Sequence, residues 1–226
     1  MSLIKRIQDW ERKFRDSYNV DLSTPENRRR ARIYNLWFDH EILRGVWTNF
    51  FPIADGVYRS NHPTRARFEK MKRMGIRSVL NLRGSGPNAH YFAEKETCEA
   101  LGLTLVSRNL HARKTASRDE ILGVIDAFRT IEKPFVLHCK SGADRAGFAS
   151  AIYLMVIEGR PVAEARKMLG LKYIHLKHTK TGVLDFVLAQ YAARQSETGI
   201  GFEDWIRQEY DHVALQQAFD RSRGRA

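Results

Sequence analysis

A cysteine and an arginine are separated by five residues in the stretch "FVLHCKSGADRAG", where Cys139 precedes Arg145. A thiol attacks an electrophile only as the thiolate, and only a small fraction of a free cysteine is ionised at neutral pH. Arg145 supplies a permanent cation with a planar fork of donors. This pairing is suited to nucleophilic attack on an anionic group.

The residues around this pair predict how it is held. The apolar run before Cys139 predicts a buried strand, and "AGFASAIYLMVI" after Arg145 is apolar nearly all round, which predicts a buried helix. Gly142 allows a tight turn between them. The backbone N–H groups of such a loop converge next to the positive end of the helix dipole. The loop can therefore stabilise both a thiolate and a tetrahedral oxyanion.

Strand and helix patterns alternate from residue 53 onwards. The segments "IRSVLNL", "LTLVSRNL" and "PFVLHC" predict strands, while "RARFEKMKRM", "HYFAEKETCEALG" and "SRDEILGVIDAFRTI" predict helices between them. Ser117 and Glu120 form a predicted capping box at the start of the third helix. We therefore expect an α/β fold with a mainly parallel central sheet flanked by helices.

Helical segments are expected on both sides of this region. Apolar residues at helical spacing define one stripe, namely Leu3, Ile7, Trp10, Phe14 and Tyr18, and a second helix begins near Thr24 and Pro25. Its apolar residues include Ile33, Leu36, Trp37, Ile42 and Leu43. We expect a helical extension at residues 1–50, a catalytic domain at 51–195, and a C-terminal helix with a basic tail at 196–226. That last helix should carry Phe202, Ile206, Tyr210 and Val213 on one face.

Composition limits the context in which this chemistry takes place. The 226 residues carry 38 Lys and Arg against 26 Asp and Glu, a formal charge of +12, which favours anionic partners. Two cysteines cannot form a disulfide framework, and the N-terminus lacks a signal-peptide pattern, so we expect a cytoplasmic protein. The basic, Trp-bearing N-terminal helix could also lie on an anionic membrane surface, or both N-terminal helices could wrap the catalytic domain.

The motifs together resemble a known superfamily. "HCKSGADR" resembles the His-Cys-five-Arg signature loop of the cysteine-dependent protein tyrosine phosphatases. With "GVYRSNHPT" and "IRSVLNLRG" upstream, residues 53 to 193 resemble the compact, atypical dual-specificity branch with its bacterial members. The resemblance implies a phosphatase that needs no metal and no cofactor and that acts on a phosphorylated, anionic substrate.

The resemblance also implies a role for each loop residue. Cys139 would attack phosphorus and form a cysteinyl-phosphate, Arg145 would clamp two oxygens, and His138 would stabilise the loop by hydrogen bonding. Lys140 stands where phosphoinositide-directed members carry a lysine that contacts a second phosphate. The expected substrate-binding residues are Lys140, Ser141, Gly142, Ala143 and Ala146 in the loop, with Arg83 and Arg113 at its border. The basic run "KYIHLKHTK" could also surround the pocket or be a solvated face.

Two positions depart from the family pattern. Relatives carry Ser or Thr after the arginine, where Ala146 stands here, so the second step lacks a hydroxyl that helps the thiolate leave. The loop "NLHARKTASRDE" lacks the usual aspartic acid, and Asp119 sits in the first turn of a helix, where acids usually stabilise the dipole. Asp144 is the favoured general acid, since it resembles the loop aspartate of myotubularin-type lipid phosphatases. Bracing the loop or Arg145 is the alternative role for Asp144.

Three functions fit these residues. The first is a phosphomonoesterase acting on phosphotyrosine or on a polyanionic lipid or inositol phosphate. The second is an RNA 5′-phosphatase, which a net charge of +12 would suit. Nucleic acid is disfavoured, because the basic runs lack the interleaved aromatic residues of base-stacking surfaces. The third is a catalytically weak phosphate-binding adaptor, which Ala146 and the missing loop acid would suit.

Overall fold

A five-stranded sheet forms the centre of the computed structural model, which describes residues 3–224, excluding the side chains of residues 3–8 and of Glu11. Its strands are β1 (Phe51–Ala54), β2 (Val57–Ser60), β3 (Ser78–Asn81), β4 (Thr104–Ser107) and β5 (Phe135–His138). The spatial order is β1-β2-β5-β3-β4. Only the β1–β2 pair is antiparallel, so the predicted mainly parallel sheet is confirmed.

Helices cover both faces of the sheet. The α-helices are α1 (Leu3–Ser17), α2 (Pro25–Ile33), α3 (Glu41–Arg44), α4 (Arg65–Arg73), α5 (Ala89–Leu101), α6 (Arg118–Thr130), α7 (Asp144–Val156), α8 (Val162–Ala165), α9 (Val183–Thr198), α10 (Phe202–Gln208) and α11 (His212–Ser222). Alternate strand residues point to opposite faces. Val79 and Val136 therefore pack on α4 and α5, while Leu80 and Leu137 join the larger core with α6, α7 and α9.

The register of the central strands collects their carboxyl ends at one edge. Ser60 of β2 and Asn81 of β3 both lie opposite His138, the last residue of β5. The loop after β5 leads directly into α7, of which nine residues are buried. A helix packed this deeply keeps its N-terminus in place, which confirms the buried strand and buried helix predicted around Cys139.

The N-terminal extension is broken where a continuous second helix was expected. A π-helical turn at Tyr34–Phe38 follows α2, and His40 adopts a left-handed conformation (φ 61°) before α3. Trp37, Ile42 and Leu43 are exposed rather than packed on the main domain. In the apolar stripe expected on α1, Phe14 and Tyr18 contact each other and also Phe38. The side chains of Leu3 and Ile7, which belong to the same stripe, lie outside the described residues.

The C-terminal segment also differs from its prediction. The single helix expected there is wrong, because it is divided into α10 and α11, with Asp211 capping the second through the amides of Val213 and Ala214. Phe202, Ile206 and Tyr210 are buried in the main core, whereas Val213 is exposed. No helix among residues 3–224 is long and apolar enough to cross a membrane.

Candidate active site

The loop that carries Cys139 turns its carbonyl groups outwards. The oxygen of Lys140 accepts from the amide of His62 at 3.2 Å, and that of Ser141 accepts from Asn49 Nδ2 at 3.2 Å. In a trans peptide the carbonyl of one residue and the N–H of the next point in opposite directions. The amides that follow these carbonyls therefore face the inside of the loop, as anion binding requires.

Arg59 of β2 holds the next two carbonyls from below. Its Nη2 atom donates to the oxygen of Gly142 at 2.6 Å and to that of Ala143 at 3.2 Å, while Nη1 donates to Met168 at 2.8 Å. The guanidinium lies 3.7 Å from the centre of the Tyr173 ring. Burial lowers the pKa of Arg59 to about 10. Arg59 is thus a charged brace that fixes the loop and the entry to α7.

Gly142 is required by two features of this loop. Its φ is +72°, a conformation that costs other residues steric strain. A Cβ atom built there would lie 2.6 Å from the amide nitrogen of Asn61. The loop therefore packs directly on the backbone at the end of β2, which confirms the tight turn expected at Gly142.

His138 is fully buried and faces an acid that the sequence did not single out. Its Nε2 lies 2.5 Å from Glu94 Oε1 of α5, and its Nδ1 lies 3.4 Å from the carbonyl oxygen of Cys139. The spacing of buried positions on α5, with Glu94 between His90 and Cys98, is a helical stripe that could have indicated an inward-facing acid. The pair anchors the end of β5 to α5.

His62, Glu94 and His138 also have donor types that a metal ion such as zinc can take. Their ligand atoms lie within 4.8 Å of one another. However, Arg83 Nη1 lies 3.2 Å from His62 Nδ1, and Glu94 already contacts His138. Burial, together with nearby His138 and Arg83, lowers the pKa of His62 well below its usual value. The group is therefore arranged as a hydrogen-bonded network next to a cation.

Arg145 and Ala146, at the start of α7, differ in their burial and in their hydrogen bonding. Arg145 is half-buried, and its buried Nε atom has no hydrogen-bond partner within residues 3–224. Ala146 is fully buried at the next position. Ser141 Oγ lies 3.4 Å from the amide of Ala143, so its hydroxyl remains in the loop. With no bond to this Nε among the described residues, Arg145 is available to bind an anion beside the converging amides.

Lys140 and Arg83 meet at an acid from the N-terminal extension. Asp39 lies 3.4 Å from Lys140 Nζ and forms a two-pronged pair with Arg83 at 2.7 and 2.9 Å. Arg44 adds a third cation at 2.9 Å. The side chain of Arg83 is 8% exposed in this group, so a substrate would reach it only by displacing Asp39.

Asp144 faces a histidine rather than Arg145. His175 Nδ1 lies 2.7 Å from Asp144 Oδ1, and Nε2 lies 2.6 Å from Asp185 Oδ2. On its other side, Asp144 lines a cleft of about 320 Å³ together with Arg113, Lys180 and Ile174. Arg113 thus lines the same cleft as Asp144 of the signature loop. The histidine was visible to sequence analysis only as a member of a basic run.

The other candidate acid occupies the helix start that its position predicts. Asp119 is exposed in the first turn of α6. The predicted capping box is confirmed: Ser117 accepts from the Glu120 amide, and Glu120 accepts from the Ser117 amide. Glu120 also accepts from Asn109 and lies 3.0 Å from His111 Nε2. Glu120 is therefore engaged in structural contacts.

Fold and loop together define a class of protein. A cysteine in an anion-binding loop between a central parallel strand and a buried helix is the architecture of the cysteine-dependent phosphatases. Residues 57–183, more than half of the chain, match the family described as PTP-SAK, the Swiss Army Knife protein DSP-PTPase phosphatase domain. The chain belongs to this family, and it is a cysteine-dependent phosphatase of the tyrosine and dual-specificity type.

Solved structures agree on the fold. A DUF442 protein from Shewanella putrefaciens CN-32 is 17% identical, with a TM-score of 0.52 over 68% of this chain and 97% of that chain. Tk-PTP in its active form is 19% identical, with a TM-score of 0.50 over 66% of this chain and 99% of its own. No curated protein matches the sequence. At these identities the likeness concerns the fold alone.

Proposed function

We propose that the protein hydrolyses phosphate monoesters through a cysteinyl-phosphate on Cys139. One observation carries the proposal: successive carbonyls of the loop are bonded outwards, so that the amides converge beside Arg145. Such preorganised donors stabilise the charge that develops on the transferring phosphoryl group. Arg145 clamps two oxygens, and His138 holds the loop through Glu94. Water then hydrolyses the intermediate.

We further propose a substrate that carries negative charge beyond the scissile phosphate. Arg113 and Lys180 line the cleft beside Asp144, and Lys140 follows Cys139 in the loop, with its Nζ 3.4 Å from Asp39 Oδ1. These cations favour a polyanionic ester, such as an inositol phosphate or a phospholipid headgroup, over a simple phosphotyrosine. An RNA 5′-phosphate is the competing substrate with the same charge.

Replacement of the nucleophile tests the first proposal. Cys139→Ser should abolish turnover while vanadate still binds, because the loop donors remain. Arg145→Lys should lose activity as well, because an ammonium cannot replace the bidentate fork. Cys98→Ala is the matched control, since Cys98 is a buried free thiol in the other core cluster. Turnover that persists in the serine variant would rule out attack by the thiolate.

A substrate panel tests the second proposal. Phosphotyrosine peptides, inositol phosphates, phosphoinositide micelles and triphosphorylated RNA are compared by kcat/KM at fixed salt. Arg113→Glu together with Lys180→Glu should lower kcat/KM for the polyanionic esters and leave phosphotyrosine peptides nearly unchanged. An equal loss on all four classes would contradict a role for these cations in selecting the substrate.

A further inference from the structure

His175 stands out among the residues that the proposed mechanism does not use. It is buried, and both of its ring nitrogens face carboxylates that come from different elements: Asp144 opens α7 and Asp185 lies in the first turn of α9. An imidazolium donates from both nitrogens, so only the charged ring satisfies both carboxylates at once. The arrangement is a chain of three titratable groups that ends at the signature loop.

This chain of three groups extends from a cleft beside the loop to a second cavity. Asp144 lines the 320 Å³ cleft beside the loop, and Asp185 lines a second cavity of about 440 Å³ on the far side of His175. The side chain of His175 is 1% exposed, compared with 19% for Asp144 and 25% for Asp185. A proton on His175 can therefore exchange with water only through its two acids.

We propose that His175 is a positioning residue of the phosphatase that orients Asp144 towards the leaving group and supplies the proton that Asp144 delivers. The proposal rests on the proposed cysteinyl-phosphate mechanism. It assigns the acid function to a pair rather than to Asp144 alone. It also explains how Asp144, within the signature loop, can act as the acid in a protein whose segment "NLHARKTASRDE" lacks the usual aspartic acid.

The proton balance of the first step is as follows. When the bond between phosphorus and the leaving oxygen breaks, its electron pair stays on that oxygen, and Cys139 becomes bonded to phosphorus. Asp144 takes the Nδ1 proton of His175 and passes a proton to the leaving oxygen. His175 is then neutral, with its remaining proton on Nε2 beside Asp185.

The second step restores the pair. Water attacks phosphorus, and the bond between phosphorus and sulfur breaks with its electron pair on Cys139. The Asp144 carboxylate takes one proton from the attacking water and returns a proton to His175 Nδ1. The products are phosphate, the thiolate and the protonated pair, so the pair ends each cycle with the proton that it held at the start.

The electrostatic surroundings allow the pair to hold this proton at neutral pH. Burial by itself lowers the pKa of His175, but the hydrogen bonds to Asp144 and Asp185 outweigh burial and raise it to about 9. Cations also face the two acids from several elements. They are Arg113 and Lys180 across the first cleft, Arg166, Lys177 and Arg223 around the second cavity, Arg59 beneath the loop, and Arg145 beside Asp144 on α7. The titratable ring of His178 also lines the second cavity.

The test compares esters with good and poor leaving groups over a range of pH. Asp144→Asn should slow an alkyl phosphate by about 100-fold or more and a nitrophenyl phosphate only slightly, because only the poor leaving group needs the proton. His175→Asn keeps a donor where Nδ1 stands but carries no exchangeable charge. It should slow the alkyl ester about tenfold or more and remove the basic limb near pH 9 from its pH–rate profile.

Asp185→Asn provides a readout that a purely structural role would not move. Removing one anion destabilises the imidazolium, so the basic limb for the alkyl ester should shift to lower pH by about one unit or more. His212→Gln, an exposed histidine on α11, is the control and should leave the profile unchanged. Vanadate binding and thermal unfolding check that each variant is folded.

Two outcomes would overturn the proposal. Equal slowing of both esters, with an unchanged pH profile in His175→Asn and Asp185→Asn, would mean that His175 only braces the loop. Selective loss on the alkyl ester in Asp119→Asn, but not in Asp144→Asn, would assign the acid to the start of α6. A burst of leaving group in the native enzyme, absent in Cys139→Ser, supports the cysteinyl-phosphate in either case, so the two proposals fail separately.

Discussion

At the scale of single residues, the signature loop departs at two positions from the family pattern that its motif resembles. In that pattern a hydroxyl follows the signature arginine, whereas Ala146 takes that place here with no exposed surface. The acid that we propose, Asp144, lies within the loop and contacts His175. Both departures affect steps after phosphate has bound, namely proton transfer to the leaving group and departure of the thiolate. The part of the loop that binds the anion is retained.

Ala146→Ser tests the first departure. Without a hydroxyl near the departing sulfur, breakdown of the cysteinyl-phosphate should limit turnover of activated esters and produce a pre-steady-state burst. Serine should raise the steady rate about three- to tenfold, equivalent to about 1 kcal/mol of barrier. Stopped-flow measurements with nitrophenyl phosphate separate the burst from the steady rate.

Serine is preferred to threonine in this experiment, because position 146 is fully buried and an added methyl group would overpack it. Ala149→Ser, one turn further along α7 and also fully buried, is the matched control for adding a hydroxyl to this helix. A steady rate that stays the same in both variants, without any burst, would contradict slow breakdown of the intermediate.

At the scale of elements, the loop between β5 and α7 depends on β2. Arg59 lies in β2, and its guanidinium donates hydrogen bonds to the carbonyl oxygens of Gly142, Ala143 and Met168. A buried cation is costly unless it is hydrogen-bonded, and here three carbonyls and an aromatic ring stabilise the charge, while Nε has no hydrogen-bond partner within residues 3–224. The arginine of "GVYRSN" is therefore the connection that makes strand, loop and helix one unit.

Arg59→Met tests whether Arg59 holds the signature loop in the shape that binds an anion. The variant leaves the carbonyls of Gly142 and Met168 without these donors, while the carbonyl of Ala143 keeps the amide of Gly147. We expect a loss of about 3 kcal/mol or more in unfolding free energy together with weaker vanadate binding. Arg59→Lys can donate to only some of the carbonyls that Arg59 contacts, so its stability and vanadate affinity should lie between those of the native protein and of Arg59→Met. Denaturant unfolding and vanadate titration give the two readouts, and Arg73→Met on the exposed face of α4 is the control. Normal vanadate affinity in a destabilised Arg59→Met would show that the loop keeps its shape without the brace.

At the scale of the whole molecule, the N-terminal extension is docked on the catalytic domain. Asn19 accepts from the first amide of α5 at 2.7 Å, and Arg28 pairs with the exposed Glu96. The main anchor is Asp39, which is buried among Arg44, Arg83 and Lys140. Docking of the extension thereby determines the surroundings of two cations that were expected to bind substrate.

Asp39→Asn should weaken this docking. Burial raises the pKa of Asp39, but hydrogen bonds from Arg83 and attraction to Arg44 outweigh burial and hold it well below the usual range. A depressed pKa adds stability above the unfolded value of about 4, and this contribution is lost as pH falls below it. We expect Asp39→Asn to cost about 3 kcal/mol near pH 7, and the difference from the native protein to shrink below pH 4.

Unfolding titrations of the two proteins at several pH values measure this difference. Asp16→Asn, an exposed acid on α1, is the control and should change little. A gap between native protein and Asp39→Asn that stays constant into acid would mean that the charge of Asp39 does not hold the extension.

Helix α1 distinguishes the two interpretations of the extension. Trp10 is 67% exposed, and Arg12 and Lys13 are exposed nearby. If α1 lies on a membrane, the protein should sediment with anionic vesicles, not with neutral ones, and salt should release it. Deleting residues 1–17 should then reduce activity on a vesicle-borne substrate at least severalfold and spare a soluble ester. The deletion stops before Asn19 so that its bond to α5 is kept.

Two results would argue against the membrane role. One is equal loss of activity on both substrates, which would mean that α1 supports the catalytic domain. The other is binding to neutral and anionic vesicles alike, which would exclude attraction between the basic helix and anionic lipid. The first result would favour the interpretation in which the N-terminal helices wrap the domain.

The features that depend on neighbours along the chain could be predicted from the amino-acid sequence. Alternating patterns predicted the strands and the helices between them, the capping box at Ser117 is a three-residue signal, and the signature loop followed from Cys139, Gly142 and Arg145 in one stretch. Local hydrogen bonds and periodic burial depend on residues that are close together in the chain, which is why these predictions hold. The breaks at His40 and at Asp211 were missed, because neither Gly nor Pro interrupts the apolar pattern at those positions.

The contacts between side chains at the loop depend on the tertiary structure. His138 and Glu94 are 44 positions apart, Arg59 and Gly142 are 83 apart, Arg83 and Asp39 are 44 apart, and Asp144 and His175 are 31 apart. The sequence predicted His138, Arg83 and Asp144 at the site, but it did not indicate the partner of any of them. Pairing them requires the sheet order and the docking of the extension, which bring distant segments to one edge of the sheet. Burial at that edge then makes each charge depend on its partner.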